Sequence, residues 1–228
     1  MLIRDRNQAD TRAHLAIVKL LDATGIPVLS EEGKHLPYED RKHWSTLWIV
    51  DPLDGTKEFI KRNGEFTVNI ALVQEGSPIL GVVYVPVSGE LYIGVKDQGA
   101  LKLKIDPDTR ITPDYLVKAT SLPQAQERPF TAVGSRSHMN EETEAFIEKY
   151  RIAHGEVSII SKGSSLKMCM VAEGTADVYP RFAPTMEWDT AAGQAVVEAA
   201  GFTMVEKKNK TALRYNKEDL LNPHFIVE

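Results

Sequence analysis

The sequence predicts an α+β fold whose second half is α/β, and three observations predict it. Between residues 66 and 95, apolar or alternating runs are separated by Glu75-Gly-Ser-Pro78 and Ser88-Gly89, the pattern of an antiparallel meander. Beyond Ser121-Leu-Pro-Gln-Ala-Gln-Glu-Arg-Pro129 the rhythm changes to short strands alternating with helices, the pattern of an α/β unit. Between these lies one chemical signal: Trp48-Ile-Val-Asp51-Pro52-Leu53-Asp54-Gly55-Thr56 reads as a buried strand running into a turn with two carboxylates.

Taken in order, Asp10 to Ala23 carries Ala13, Ile17, Leu20 and Leu21 at helical spacing, with Asp10 placed as a cap. Gly25-Ile-Pro27 ends that helix, and Pro27 to Ser30 is a short strand delivering Glu31 and Glu32. Residues 33–42 are polar and loop-like, and the strand at Leu47 to Val50 follows. The meander occupies Phe66–Val73, Ile79–Val87 and Gly89–Val95, and residues 96–120 hold one more strand pair and a connector.

In the second half, Phe130–Val133, Val157–Ile160 and Ala176–Tyr179 read as strands. Asn140–Tyr150, Ser164–Ala172 and Asp189–Ala200 read as helices, the last closed by Gly201. The expected division is 1–121 and 122–228, and 228 residues suffice for one large domain or two small ones.

A net charge of −5 gives no electrostatic case for binding a nucleic-acid backbone. The one cysteine, Cys169, excludes an internal disulfide, and its apolar neighbours point to core packing. No stretch is long and apolar enough to span a membrane, and the first residues lack a signal-peptide core, so a cytoplasmic protein is expected.

Four acidic residues end three elements: Glu31, Asp51, Asp54 and Asp189. Singly each has a plain reading. The Asp-Pro-Leu-Asp-Gly-Thr run is also ordinary turn composition, Glu31-Glu32 an acidic turn, and Asp189 an N-cap. Together they suit two Mg²⁺ ions sharing a bridging carboxylate. Pro52 fixes φ and Gly55 permits a tight backbone, which would hold the two aspartates rigidly. The small residues after Asp189, two alanines and Gly193, allow close approach. No Ser/His/Asp arrangement or positioned thiol suggests a covalent intermediate.

Glu31-Glu32, Asp51-Pro-Leu-Asp54-Gly-Thr56 and Trp188-Asp189-Thr-Ala-Ala-Gly193 resemble, in order and spacing, the lithium-sensitive, magnesium-dependent phosphatases of the inositol monophosphatase and fructose-1,6-bisphosphatase superfamily. Asp54-Gly-Thr-Lys57-Glu58-Phe59 through Ile70, Gly163-Ser-Ser-Leu-Lys167 and Tyr179-Pro-Arg181 resemble the bacterial 3′(2′),5′-bisphosphate nucleotidases in particular. The resemblance implies a layered α/β/α/β/α sandwich and removal of the 3′-phosphate from 3′-phosphoadenosine 5′-phosphate, a reaction of sulfur metabolism. It implies two or three Mg²⁺ ions. Glu31, Asp51 and the Leu53 carbonyl would hold one; Asp51, Asp54 and Asp189 would hold the second.

Thr56 would orient or deprotonate the attacking water, aided by Glu31 and Asp10, although Asp10 reads equally well as a helix cap. Leu53, Asp54, Gly55, Thr56 and Asp189 would also border the substrate. Ser164, Lys167 and Arg181 would contact the nucleotide, with His138 near ribose or base. The alternative for each cation is a solvated surface charge. The family's opening helical hairpin and strand have no counterpart before Asp10, so a shortened N-terminus is expected. An inositol or sugar-phosphate phosphatase on the same scaffold, or a non-catalytic nucleotide- or metal-binding protein, are the competing readings.

Overall fold

The computed structural model describes residues 2–34, 36–106, 112–124, 126–134 and 140–228. Helix α1 (Leu2–Leu21) leads into strand β1 (Val28–Ser30), the short helix α2 (Tyr38–Arg41) and strand β2 (Thr46–Asp54). A one-and-a-half-turn helix α3 (Thr56–Lys61) precedes β3 (Thr67–Gln74), β4 (Ser77–Val85), β5 (Glu90–Val95) and β6 (Gly99–Lys104). After α4 (Pro113–Leu116) comes β7 (Thr120–Leu122). The second half runs β8 (Thr131–Gly134), α5 (Glu141–His154), β9 (Ser158–Ser161), α6 (Leu166–Glu173), β10 (Tyr179–Arg181), α7 (Glu187–Ala199), β11 (Met204–Glu206) and β12 (Phe225–Val227).

Strands β1 to β7 form one seven-stranded sheet in sequence order. β1 pairs parallel with β2, and every later neighbour is antiparallel. The alternating residues of β3 alternate in burial, as a sheet with one face on the core requires. A three-stranded sheet β10-β12-β11 and a parallel pair β8-β9 complete the strands, joined by a bridge from Ala132 to Val178.

Helix α7 joins the halves. A side chain on Gly81 would meet the Ala192 carbonyl at 2.3 Å, and one on Gly94 would meet the Ala195 carbonyl at 2.5 Å. Two glycines in adjacent strands therefore let α7 lie directly on the sheet. On its other side a Cβ at Gly193 would fall 2.4 Å from the Met168 Cε of α6. The small residues that follow Asp189 thus serve close packing between sheet and helix. The main core runs continuously from Leu47, Ile49, Val73 and Val83 of the sheet to Cys169, Val171, Val196 and Val197 of the helices. A smaller cluster of Ala132, Ile147, Val157, Val178, Phe182 and Ile226 anchors α5.

Three local expectations change. The first helix begins at Leu2, so Asp10 lies inside it and is no cap; the mostly polar run before it does not show the apolar stripe by which the sequence reads a helix. β2 does not stop at Val50 but carries the Asp-Pro-Leu-Asp run as strand to Asp54. α7 starts at Glu187, with Met186 as its N-cap residue, so Asp189 occupies the third helical position. Among the described residues, no helix is long and apolar enough to cross a membrane.

Candidate active site

Asp51 and Asp54 are three residues apart, a spacing that in a regular strand points side chains to opposite faces. The pairing of β2 with β3 slips between them: Asp51 faces Asn69, but Asp54 faces Thr67. Three steps on β2 match two on β3, and the extra residue returns both carboxylates to one side. The Leu53 N–H donates to Asp51 Oδ1 at 2.9 Å and locks this bulge from within. Pro52 loses nothing here by lacking a donor, and Gly55, at φ 98°, takes the chain out of the strand into α3.

Oxygens of Asp51, Asp54 and Asp189 all lie within 4.8 Å of one another. Glu31 joins the same cleft from the end of β1, its N–H fixed to the Val50 carbonyl at 3.1 Å. The two aspartates of β2 are held differently. Asp54 Oδ2 accepts the Ser165 N–H at 2.8 Å and the Ser165 hydroxyl at 2.9 Å, with the Ser164 hydroxyl at 2.5 Å. Asp51 is fully buried, and its Oδ2 has no hydrogen-bond partner. Asp189 Oδ2 accepts the Met186 N–H at 2.8 Å, closing the first turn of α7.

Burial pushes the Asp51 carboxyl well above the usual carboxylate range, and the charges of Asp54, Glu31 and Asp189 push it further. Burial, then the Asp54 charge, lifts Asp189 to about 7 against the N–H bond from Met186. Like charges gathered around an orphaned buried oxygen are costly unless a cation joins them. A donor set made of carboxylate oxygens suits a hard divalent ion rather than a soft metal.

The cleft encloses about 260 Å³ and is also lined by Leu53, Gly55, Thr56, Lys57, Glu58 and Lys162–Ser165, together with Lys167, Tyr179 and Arg181. Lys167 is 8% exposed, so it is no solvated surface charge. Its ammonium donates to the Ser164 carbonyl at 2.6 Å and the Lys162 carbonyl at 3.4 Å and lies 5.8 Å from the Tyr179 ring centre. Burial lowers it to about 8, with Arg181 adding repulsion and Asp54 opposing the shift. Arg181 donates Nη2 to the Pro184 carbonyl at 3.0 Å, while its Nε is buried without a partner. Ser164 stands at φ 55°, with its hydroxyl also 2.5 Å from the Thr67 hydroxyl.

The sequence expectations for Glu31, Asp51, Leu53, Asp54, Gly55, Thr56, Ser164, Lys167, Arg181 and Asp189 all fall on this one cleft. Asp10 is fully buried on α1 and is not among the residues lining it. His138 lies outside the described residues. Ser165, whose hydroxyl the sequence offers to a phosphate or ribose, is turned instead to Asp54, and Thr67 and Asn69 carry no role in the sequence reading. Their one sequence signal is polarity at positions where the flanking pattern demands burial.

Residues 6–227 match the model of the inositol monophosphatase family. The chain belongs to that family. It is 46% identical over 222 residues to the 3′(2′),5′-bisphosphate nucleotidase CysQ of Salmonella typhimurium, covering 96% of this chain and 83% of the relative. The CysQ of Escherichia coli strain K12 matches at the same identity and coverage. The crystal structure of CysQ from Bacteroides thetaiotaomicron superposes with a TM-score of 0.90 at 57% identity, covering 96% of this chain and 82% of that one. Inositol monophosphatase II from Staphylococcus aureus shares the fold, with a TM-score of 0.71 at 21% identity.

Proposed function

We propose that this member of the inositol monophosphatase family is a Mg²⁺-dependent phosphatase that hydrolyses 3′-phosphoadenosine 5′-phosphate to AMP and phosphate. The observation that carries the reading is the three-carboxylate cluster with an orphaned oxygen on Asp51, set in a cleft that Lys167 and Arg181 also line. Relatives named as 3′(2′),5′-bisphosphate nucleotidases at 46% identity supply the substrate class.

In this reading Glu31, Asp51 and the Leu53 carbonyl hold one Mg²⁺, and Asp51, Asp54 and Asp189 hold a second. Bound there, the ions offset charge on the phosphoryl and leaving oxygens and acidify the attacking water. Thr56, at the start of α3, holds that water in line with the phosphorus. Glu31 receives its proton through the Thr56 hydroxyl. The water oxygen bonds to phosphorus as the bond to the 3′-oxygen breaks, and the departing 3′-oxygen takes up a proton from solvent water. Asp10 supports this region from α1.

Residues 1–121 thus furnish the carboxylates and the water-holding hydroxyl, and residues 122–228 furnish Asp189 and the nucleotide side. Lys167 and Arg181 meet the nucleotide's negative charge, and Ser164 and His138 meet ribose or base. A substrate with two phosphates needs cations beyond those that serve the scissile group. The test is phosphate release from 3′-phosphoadenosine 5′-phosphate and from inositol monophosphate, each with Mg²⁺ and with EDTA. Faster Mg²⁺-dependent release from the nucleotide supports the reading. A preference for inositol monophosphate assigns the scaffold to that substrate, and no release from either makes the protein a binding module.

A further inference from the structure

Ser165 touches three elements at once. Its N–H and hydroxyl reach Asp54 Oδ2 on β2, and the same hydroxyl lies 2.9 Å from the Asp189 carbonyl on α7. Asn69, on β3, donates its side-chain N–H to that hydroxyl at 2.9 Å. Both side chains are 1% exposed. A hydroxyl has one proton and two lone pairs. Occupied by Asn69 as acceptor, it gives its proton to Asp54 or to the Asp189 carbonyl, and its backbone N–H keeps hold of Asp54 in either case. Thr67, fully buried beside Asn69, donates to Asn69 Oδ1 at 3.0 Å and so fixes which way the amide points.

We infer that Asn69 and Ser165 are positioning residues that set the separation of Asp54 and Asp189 and thereby the affinity for the divalent ion. The inference rests on the metal reading above and extends it to two residues that the reading does not use as metal ligands. Asp54 and Asp189 come from strands and helices 135 residues apart in sequence. Among the described residues, Ser165 links the Asp54 carboxylate to the backbone carbonyl of Asp189, so the placement of the α7 start against the β2 carboxylate is written into one hydroxyl and the amide that orients it. With Ser165→Ala, the buried Asn69 amide loses its near acceptor, its next contact being Asp54 Oδ2 at 3.5 Å. Partners that orient metal ligands are typically worth about 10–100-fold in metal affinity.

The experiment is Mn²⁺ binding, followed by electron paramagnetic resonance of the free ion, for the unaltered protein, Ser165→Ala, Asn69→Ala and the double variant, alongside their metal-free melting temperatures. Weakening of about 10–100-fold in each single variant is expected. The double variant should lose little more than either single one, because Asn69 acts through Ser165. Added Mg²⁺ should restore most of the activity. Folded variants whose Mn²⁺ affinity stays within about twofold of the unaltered protein would overturn the inference, whatever their melting temperatures. If Ser165→Ala does not fold, Asn69→Ala decides alone, and failure of both to fold would make the pair a folding requirement instead. An unaltered protein that binds no Mn²⁺ would overturn the metal reading itself, a result distinct from equal binding across the series.

Discussion

Asp51 and Asp54 share one side of β2 and are used in opposite ways. Asp54 Oδ2 is surrounded by donors from Ser164 and Ser165, while Asp51 Oδ2 is buried with none. One carboxylate is anchored by the protein and the other is left for a cation. Asp51→Asn should therefore separate function from stability. It removes a buried charge that three other carboxylates repel. Activity should fall by more than about 100-fold, beyond the usual effect of altering an outer partner of a ligand. The metal-free protein should melt higher than the unaltered one, read by calorimetry in EDTA. A lower metal-free melting temperature would mean that Asp51 is held by the protein rather than strained by it.

The same charges give a pH dependence. Asp51 and Asp189 bind protons more tightly in the folded protein than in the unfolded chain, where an aspartate titrates near 3.9. Their stabilising protonation is complete below about 4 and, for Asp189, is lost as pH rises through about 7. In EDTA, melting temperature should fall between about pH 5 and 8. The increment given by Mg²⁺ should grow over the same interval, because the ion competes with these protons. An increment that is flat with pH would place Mg²⁺ elsewhere.

Thr56 borders the cleft at the first position of α3. Thr56→Ala should lower kcat and kcat/KM by about 10²–10⁴-fold, the usual worth of positioning or deprotonating a water. Mn²⁺ affinity should be nearly unchanged. A near-normal kcat would remove Thr56 from the chemistry.

Lys167 and Arg181 bear on specificity. Arg181→Ala should weaken the bisphosphorylated nucleotide by one charge-assisted hydrogen bond, about 1.5–3 kcal/mol, and should change inositol monophosphate hydrolysis much less. Lys167, lowered to about 8 by burial, adds a pH signature. The nucleotide KM should rise above about pH 8 as the ammonium loses its proton, and Lys167→Arg should flatten that rise. Equal losses on both substrates would assign these cations to the fold.

Much of this was legible in the residues. The apolar alternation of Thr67–Gln74 and Ser77–Val85 marks their strands, and Asn140 caps α5 as its chemistry suggests, accepting the Thr143 N–H at 2.8 Å. The convergence of Glu31, Asp51, Asp54 and Asp189 was readable because the sequence pattern places each close to the end or the start of an element. Other features depend on distant partners. The bulge between Asp51 and Asp54 exists only against β3, so the strand reads as ending early. β11 and β12 are three residues each, too short for a period to show, and their ladder partners are each other and β10. The role of Ser165 arises from contacts 96 and 111 residues away, to Asn69 and Asp54. Asp10 is not a cap because α1 extends before it through a mostly polar run that shows no apolar stripe.

The central claim is Mg²⁺-dependent removal of one particular phosphate. Its most direct test is the product formed from 3′-phosphoadenosine 5′-phosphate, followed by ³¹P NMR while Mg²⁺ is titrated into the EDTA-treated protein. The account predicts AMP and inorganic phosphate in equal amounts, appearing only as Mg²⁺ is added. Adenosine 3′-phosphate as product, or release that persists in EDTA, would contradict it.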